Sequence, residues 1–243
     1  MAEKITFANS RGLKLVGILE PMKTDKIVIM AHGFTSNKDK PKSVKIANEL
    51  NKTGFATLRF DFGGSGESDF AEITVKNQVD DLNSAIRYAR NKGYAKIGLL
   101  GSSLGGLDCI LAYDKDIKTI VLLAPVTKAK TPSEFVDPKV RAEVEQKGHV
   151  TIMKENKNFI IPKQYLQERE SVKQDEILSK IKCPVLIIHG DQDEHVPANH
   201  SREAMRFLPP ESRLEVMKGW KHRLEEDLDK LASMVVSWFN EHL

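Results

Sequence analysis

Strand-length apolar runs alternate with helix-length segments along most of the chain, and few architectures accept that alternation. The strand candidates are Ile5-Ala8, Lys14-Leu19, Ile27-Ala31, Ala56-Phe60, Ile97-Leu100, Thr119-Leu123, Pro184-His189 and Arg213-Met217. Asn9-Ser10-Arg11-Gly12 separates the first two and reads as a hairpin turn. Helix-length segments separate the others, as parallel strands joined by crossovers require. Helices are predicted over Lys42-Lys52, Thr74-Asn91, Leu104-Tyr113, Ala198-Phe207 and Glu225-Phe239. The second carries Val75, Val79, Leu82, Ile86 and Ala89 at helical spacing, with Gly93 as a stop. The last carries Leu228, Leu231, Met234, Val235 and Phe239 on one face, and Pro197 opens its helix as a first-turn proline. This pattern predicts an α/β fold: a mostly parallel, eight-stranded sheet with helices on both faces.

One stretch breaks the rhythm. From Val126 to about Val172 the chain is polar and too long for an ordinary connection. Within it, Val150-Met153 and Asn158-Ile161 can pair as a small hairpin around Lys154-Asn156. The stretch reads as an insertion after the sixth strand, placed to act as a lid. The expected division is a core of residues 1-125 and 176-243 and an inserted lid of residues 126-175.

Bulk properties narrow the function classes. The chain has 243 residues, 40% of them hydrophobic, and a net charge of only +3. No strong basic field points to nucleic acid, and the lysine-rich stretch from Lys38 to Lys45 reads as a solvated face. Cys109 and Cys183 lie far apart, outside any C-x-x-C pair, and are expected to pack as small hydrophobes. The apolar runs are too short to span a membrane, and Met1-Ala2-Glu3-Lys4-Ile5 lacks the apolar core of a signal peptide. The expectation is a cytoplasmic protein with no nucleic-acid or membrane partner.

Chemistry concentrates at strand ends. Gly101-Ser102-Ser103-Leu104-Gly105 follows the apolar run Ile97-Leu100 and precedes a helical pattern. A G-x-S-x-G stretch in that setting puts its serine on a sharp strand-to-helix turn, where flanking side chains would clash. Ser103 is therefore a candidate nucleophile above a helix N-terminus, where developing negative charge is favoured. Such a serine needs a base and an acid to orient it, in the chain order Ser, Asp/Glu, His. The strand end at His189-Gly190 leads into a loop with Asp191, Asp193 and Glu194; Asp193 is the chosen acid and Asp191 its rival, or a turn cap. His222 follows the last strand after Gly219 and is the candidate base.

An oxyanion hole needs two backbone N–H groups. Leu104 supplies one candidate and Phe34, after the strand end Ala31-His32-Gly33, the other. His32 then orders its loop rather than acting as a base. The glycine loop Arg59 to Ser68 lacks the Lys-Ser/Thr of a P-loop and reads as a tight turn at the rim of the site.

These strand-end motifs together resemble the α/β-hydrolase superfamily across residues 14 to 241. The matching stretches are His32-Gly33-Phe34, Arg59 to Ser68, the Gly101–Gly105 elbow, His189-Gly-x-x-Asp193-x-x-Val196-Pro197, and Gly219-x-x-His222. The H-G-x-x-D-x-x-V-P pattern of that superfamily favours Asp193 over Asp191. Within it, the chain looks most like the feruloyl/cinnamoyl esterases and related serine-aminopeptidase-like hydrolases, which carry a compact insertion after the sixth strand. The resemblance implies the α/β-hydrolase fold and hydrolysis of carboxylic esters, including hydroxycinnamate esters, by a serine triad of Ser103, Asp193 and His222. Peptides and thioesters are the alternative substrates on the same fold, and a non-catalytic binding protein is a further alternative. By the same resemblance, Tyr165 and Asp137 are candidates to contact the acyl group. It implies a small-molecule ester as partner and no metal or organic cofactor; the oligomeric state stays open, with a homodimer one candidate because many small hydrolases of this type pair through lids or edge strands.

Overall fold

The computed structural model describes residues 1–129 and 138–243. Eight strands form one sheet: β1 (Glu3–Ala8), β2 (Lys14–Glu20), β3 (Lys26–Ala31), β4 (Ala56–Phe60), β5 (Lys96–Ser102), β6 (Ile117–Leu123), β9 (Val185–Gly190) and β10 (Arg213–Met217). Their order is β1-β2-β4-β3-β5-β6-β9-β10. The six from β4 to β10 in that order are parallel, while β1 and β2 pair antiparallel at one edge. The β2–β3 link, residues 21–25, carries no helix, contrary to the expected run of helical connections. An antiparallel strand needs no crossover, so a short turn suffices.

Helices α1 (Pro41–Lys52) and α8 (Leu228–His242) pack against each other, and their buried residues share one core with one face of the sheet. Helices α2 (Val75–Asn91) and α3 (Leu104–Leu111) belong to the other core. Alternation along β3 divides the two: Ile27, Ile29 and Ala31 enter one core, Val28 and Met30 the other. Strands covered on both faces read as unbroken apolar runs for this reason.

Between β6 and β9 lie α4 (Pro138–Lys147), a hairpin of β7 (His149–Lys154) and β8 (Lys157–Pro162), α5 (Lys163–Glu170) and α6 (Gln174–Leu178). The remaining helix, α7 (Ala198–Ala204), follows β9 and runs into a 3-10 turn, Met205–Phe207. Ile73 N–H donates to the Ile160 carbonyl (2.9 Å), and Glu168 accepts the Val75 N–H (2.7 Å). The excursion is thereby tied to the start of α2.

The Lys38–Lys45 stretch is not a solvated face throughout. Lys38 and Lys42 are buried. Lys38 Nζ pairs with Asp61 (2.9 Å) and Glu67 (2.7 Å), and Asp61 also accepts the Lys38 and Glu67 amides. The Arg59–Ser68 turn is accordingly a buttress for the loop after β3. Among the described residues none of it lines the main cavity, which corrects its expected place at the rim. Both cysteines are buried and free.

Candidate active site

Ser103 sits between the end of β5 and the start of α3 with φ 54° and ψ −115°. This conformation is strained for a residue with a side chain, at a cost of about 1–3 kcal/mol. Its neighbours hold it there. Ser103 N–H donates to the Leu123 carbonyl (2.8 Å), and the Ser103 carbonyl accepts the Gly106 (3.0 Å) and Val126 (3.1 Å) amides. A Cβ on Gly101 would lie 2.3 Å from the Gly105 carbonyl oxygen, and one on Gly105 would lie 2.4 Å from that of Ala31. Both glycines are dictated by the close passage of backbones at the elbow.

The loops after β9 and β10 bring two more side chains to this serine. His222 Nε2 lies 2.9 Å from Ser103 Oγ, and His222 Nδ1 lies 2.7 Å from Asp193 Oδ2. A carboxylate oxygen only accepts, so Nδ1 carries the proton and Nε2 offers its lone pair to the serine hydroxyl. Asp193 is fully engaged. Its Oδ1 accepts the His195 and Val196 amides (2.8 Å each), and its Oδ2 also accepts from His189 Nε2 (3.0 Å). Burial favours the neutral acid, but the hydrogen bonds from His189, His222 and Val196 outweigh it and hold the Asp193 carboxyl well below the usual range. Asp191, its rival, accepts the Gly219 amide (2.6 Å) and caps the turn that precedes His222.

His189 is a member of this site that sequence reasoning passed over. It is fully buried, with Nδ1 against Ser201 Oγ (2.7 Å) and Nε2 shared between Asp193 and the Val196 carbonyl (2.9 Å). The His-Gly of the H-G-x-x-D stretch was its signal. His195 packs its ring edge-on against His222, with centroids 5.1 Å apart.

The His32 ring is tied at both nitrogens. Nε2 accepts the Phe62 amide (3.2 Å) and Nδ1 donates to the Gly33 carbonyl (2.8 Å). Burial also pushes its pKa down. It shapes the loop that carries Phe34 and is not available as a base. Phe34 and Leu104 both line a cavity of about 1040 Å³ that contains Ser103 and His222. Leu104 is the first residue of α3, where backbone N–H groups have no partner within the helix.

Tyr165, on α5, lines the same cavity, and its ring stacks on Phe34 with centroids 5.6 Å apart. Burial pushes its hydroxyl up to about 12, and Arg169 is hydrogen-bonded to it. Asp137 lies outside the described residues. A hydroxyl, an imidazole and a carboxylate in this order can move a proton off the hydroxyl as it attacks a carbonyl carbon, and return it to a leaving group.

A family model described as serine aminopeptidase, S33, matches residues 22–180. The chain is 31% identical over 212 residues to a mouse protein named palmitoyl-protein thioesterase ABHD10, mitochondrial, a match covering 83% of this chain and 70% of that protein. The solved structure of mouse alpha/beta hydrolase domain-containing protein 10 superposes with a TM-score of 0.80 at 25% identity, covering 99% of each chain. Est1E from Butyrivibrio proteoclasticus, solved with ferulic acid bound, superposes with a TM-score of 0.80 at 24% identity, covering 98% of each chain. Among the described residues no helix is long and apolar enough to cross a membrane.

Proposed function

Because this chain belongs to the serine aminopeptidase (S33) family of α/β hydrolases, we propose that it hydrolyses carboxylic esters and thioesters through an acyl-enzyme on Ser103. The observation that carries the reading is the unbroken hydrogen-bonded chain from Ser103 Oγ through His222 to Asp193.

His222 Nε2 takes the Ser103 proton as Oγ bonds to the substrate carbonyl carbon. The carbonyl oxygen gains the negative charge and accepts the Phe34 and Leu104 amides. Asp193 holds the imidazole tautomer and stabilises the imidazolium. The tetrahedral intermediate collapses, the bond to the alcohol or thiol breaks, and His222 Nε2–H protonates the leaving atom. Water then loses a proton to His222, attacks the acyl carbon and releases the acid. Removal of the serine proton requires the lone pair on His222 Nε2.

The described residues of the 126–175 excursion act as a lid in this reading, and Ile152, Tyr165 and Leu166 contribute an apolar wall beside Ser103. Phe34 and Tyr165, stacked together, suit a flat or extended acyl group. Feruloyl esters are one candidate class. Thioesters are the second, favoured by the 31%-identical mouse relative, which is named a palmitoyl-protein thioesterase. We place the reaction in an aqueous compartment, the cytoplasm in our reading.

The test is a fluorophosphonate label located by mass spectrometry, followed by kcat/KM on p-nitrophenyl butyrate, methyl ferulate, a palmitoyl thioester and an amino-acid anilide. Label on Ser103 with ester or thioester turnover supports the proposal. Turnover of the anilide alone replaces it with a peptidase. Ferulate turnover matching butyrate identifies an aromatic acyl pocket, and thioester turnover above both identifies a thioesterase.

A further inference from the structure

One cation in the cavity has no counterpart in the chemistry above. Lys42, in the first turn of α1, is only 8% exposed and lines the same cavity as Ser103. Its Nζ donates to Ser102 Oγ (3.2 Å) and to the Arg223 carbonyl (2.6 Å). Both acceptors are neutral, and among the described residues Lys42 forms no ion pair. Ser102 immediately precedes the serine and Arg223 immediately follows the histidine, so the ammonium sits beside the reacting groups.

Structural economy does not explain this placement. A buried ammonium without a carboxylate in direct contact is costly, even with Glu225 and Glu226 near enough to act on it through space, and a methionine of similar length would avoid the penalty. The first turn of a helix is also the wrong end for a cation, because the helix dipole is positive there. Lys40 stands at the N-cap position of the same helix without a capping hydrogen bond from its side chain, and α1 has no acidic residue in its first turn.

The rest of the cavity gives the charge a direction. Among the described lining residues, cations outnumber carboxylates two to one. Lys40 pairs with Glu155 and Arg141 with Glu170, both in half-exposed surroundings. The apolar lining, Phe34, Val126, Ile152, Tyr165 and Leu166, belongs to or packs on the core that contains α2 and α3. Lys42 comes from α1 on the opposite face, next to the loop that holds His222. A leaving group must lie on the His222 side, because His222 protonates it.

We propose that Lys42 is a specificity-determining residue that binds a carboxylate on the leaving group of the substrate. The natural substrate then joins an apolar acyl group to an anionic alcohol or thiol. This rests on the acyl-enzyme reading for the side on which the leaving group sits.

The test compares 4-butyryloxybenzoate, whose leaving group carries a carboxylate, with its neutral methyl ester. The measured quantity is the ratio of their kcat/KM values. In Lys42→Met that ratio falls at least about tenfold, the loss expected for one charge-assisted hydrogen bond, and the fall lies in KM. Lys42→Arg retains more of the preference than Lys42→Met. A second measurement needs no variant. Burial pushes Lys42 down to about 8, against Glu225 and Glu226, which raise it, and with Arg223, which lowers it. Wild-type preference for the acid therefore declines as pH rises through about 8, and the ratio cancels any pH effect common to both substrates. A ratio unchanged in Lys42→Met, an equal loss on both substrates, or a ratio flat from pH 6 to 10 overturns the proposal. Ser103→Ala is run beside them: if it still turns over the methyl ester, the serine reading fails while the Lys42 comparison stays interpretable.

Discussion

Replacing Asp193 by asparagine changes one atom and reverses the direction of a proton. The two amides of His195 and Val196, each 2.8 Å from Oδ1, require an oxygen at that position. The new NH₂ must then occupy the Oδ2 position, 2.7 Å from His222 Nδ1 and 3.0 Å from His189 Nε2. An amide nitrogen donates there, so His222 Nδ1 has to accept and its proton moves to Nε2. Nε2 then faces Ser103 Oγ with a proton instead of a lone pair and cannot act as base. The wrong tautomer costs about 10⁴-fold in kcat in serine triads, equivalent to about 5 kcal/mol of barrier. The assay is kcat for p-nitrophenyl butyrate, with a thermal melt to show that the variant is folded. Asp191→Asn is the control, because an asparagine carbonyl can still accept the Gly219 amide, and it should stay within a few-fold of wild type. Asp193→Asn within tenfold of wild type, or a larger loss in Asp191→Asn, refutes the reasoning and shifts the acid to Asp191.

Two further outcomes follow from packing and charge. Asp108 on α3 is fully buried, and among the described residues neither carboxylate oxygen has a hydrogen-bond partner; burial raises its pKa well above the usual value. The folded state therefore keeps a proton that the unfolded chain releases above about pH 4, and stability falls as pH rises from there. Asp108→Asn should raise the melting temperature at pH 7, with the gain vanishing as pH drops to about 4; a gain independent of pH counts against a protonated carboxyl. Gly105→Ala puts a methyl 2.4 Å from the Ala31 carbonyl oxygen and 2.5 Å from that of His32, pushing the Phe34 loop away from the elbow. It should cut kcat on p-nitrophenyl butyrate by at least about tenfold, since oxyanion contacts tolerate little displacement; wild-type kcat would mean that the loop can move freely.

Much of this was legible in the sequence because parallel strands buried on both faces announce themselves as apolar runs. Every core strand falls within two residues of its expected place, and the hairpin of β7 and β8 was visible from its two short apolar runs. The helices of the excursion were not. α5 presents only Tyr165 and Leu166 as buried apolar residues and buries Arg169 with them, so no helical stripe appears. α6 has five residues, too few for a period to show. α8 starts at Leu228 rather than Glu225 because the Asp227 side chain accepts the Lys230 amide (2.9 Å) and caps it there. Ser103, Asp193 and His222 were legible because each follows a strand end, where the sheet delivers side chains to one edge. Lys42 was not, since a lysine in a lysine-rich run looks solvated until the fold buries it. His189 was hidden for a related reason: inside an apolar run it reads as part of the strand.

The central claim is that Ser103 is the nucleophile. Its most direct test is kcat of folded Ser103→Ala on p-nitrophenyl butyrate, beside wild type in the same buffer. Triad members act as a unit, so kcat should fall by about 10⁴-fold or more while the melting temperature stays close to wild type. Turnover within tenfold of wild type would contradict the account.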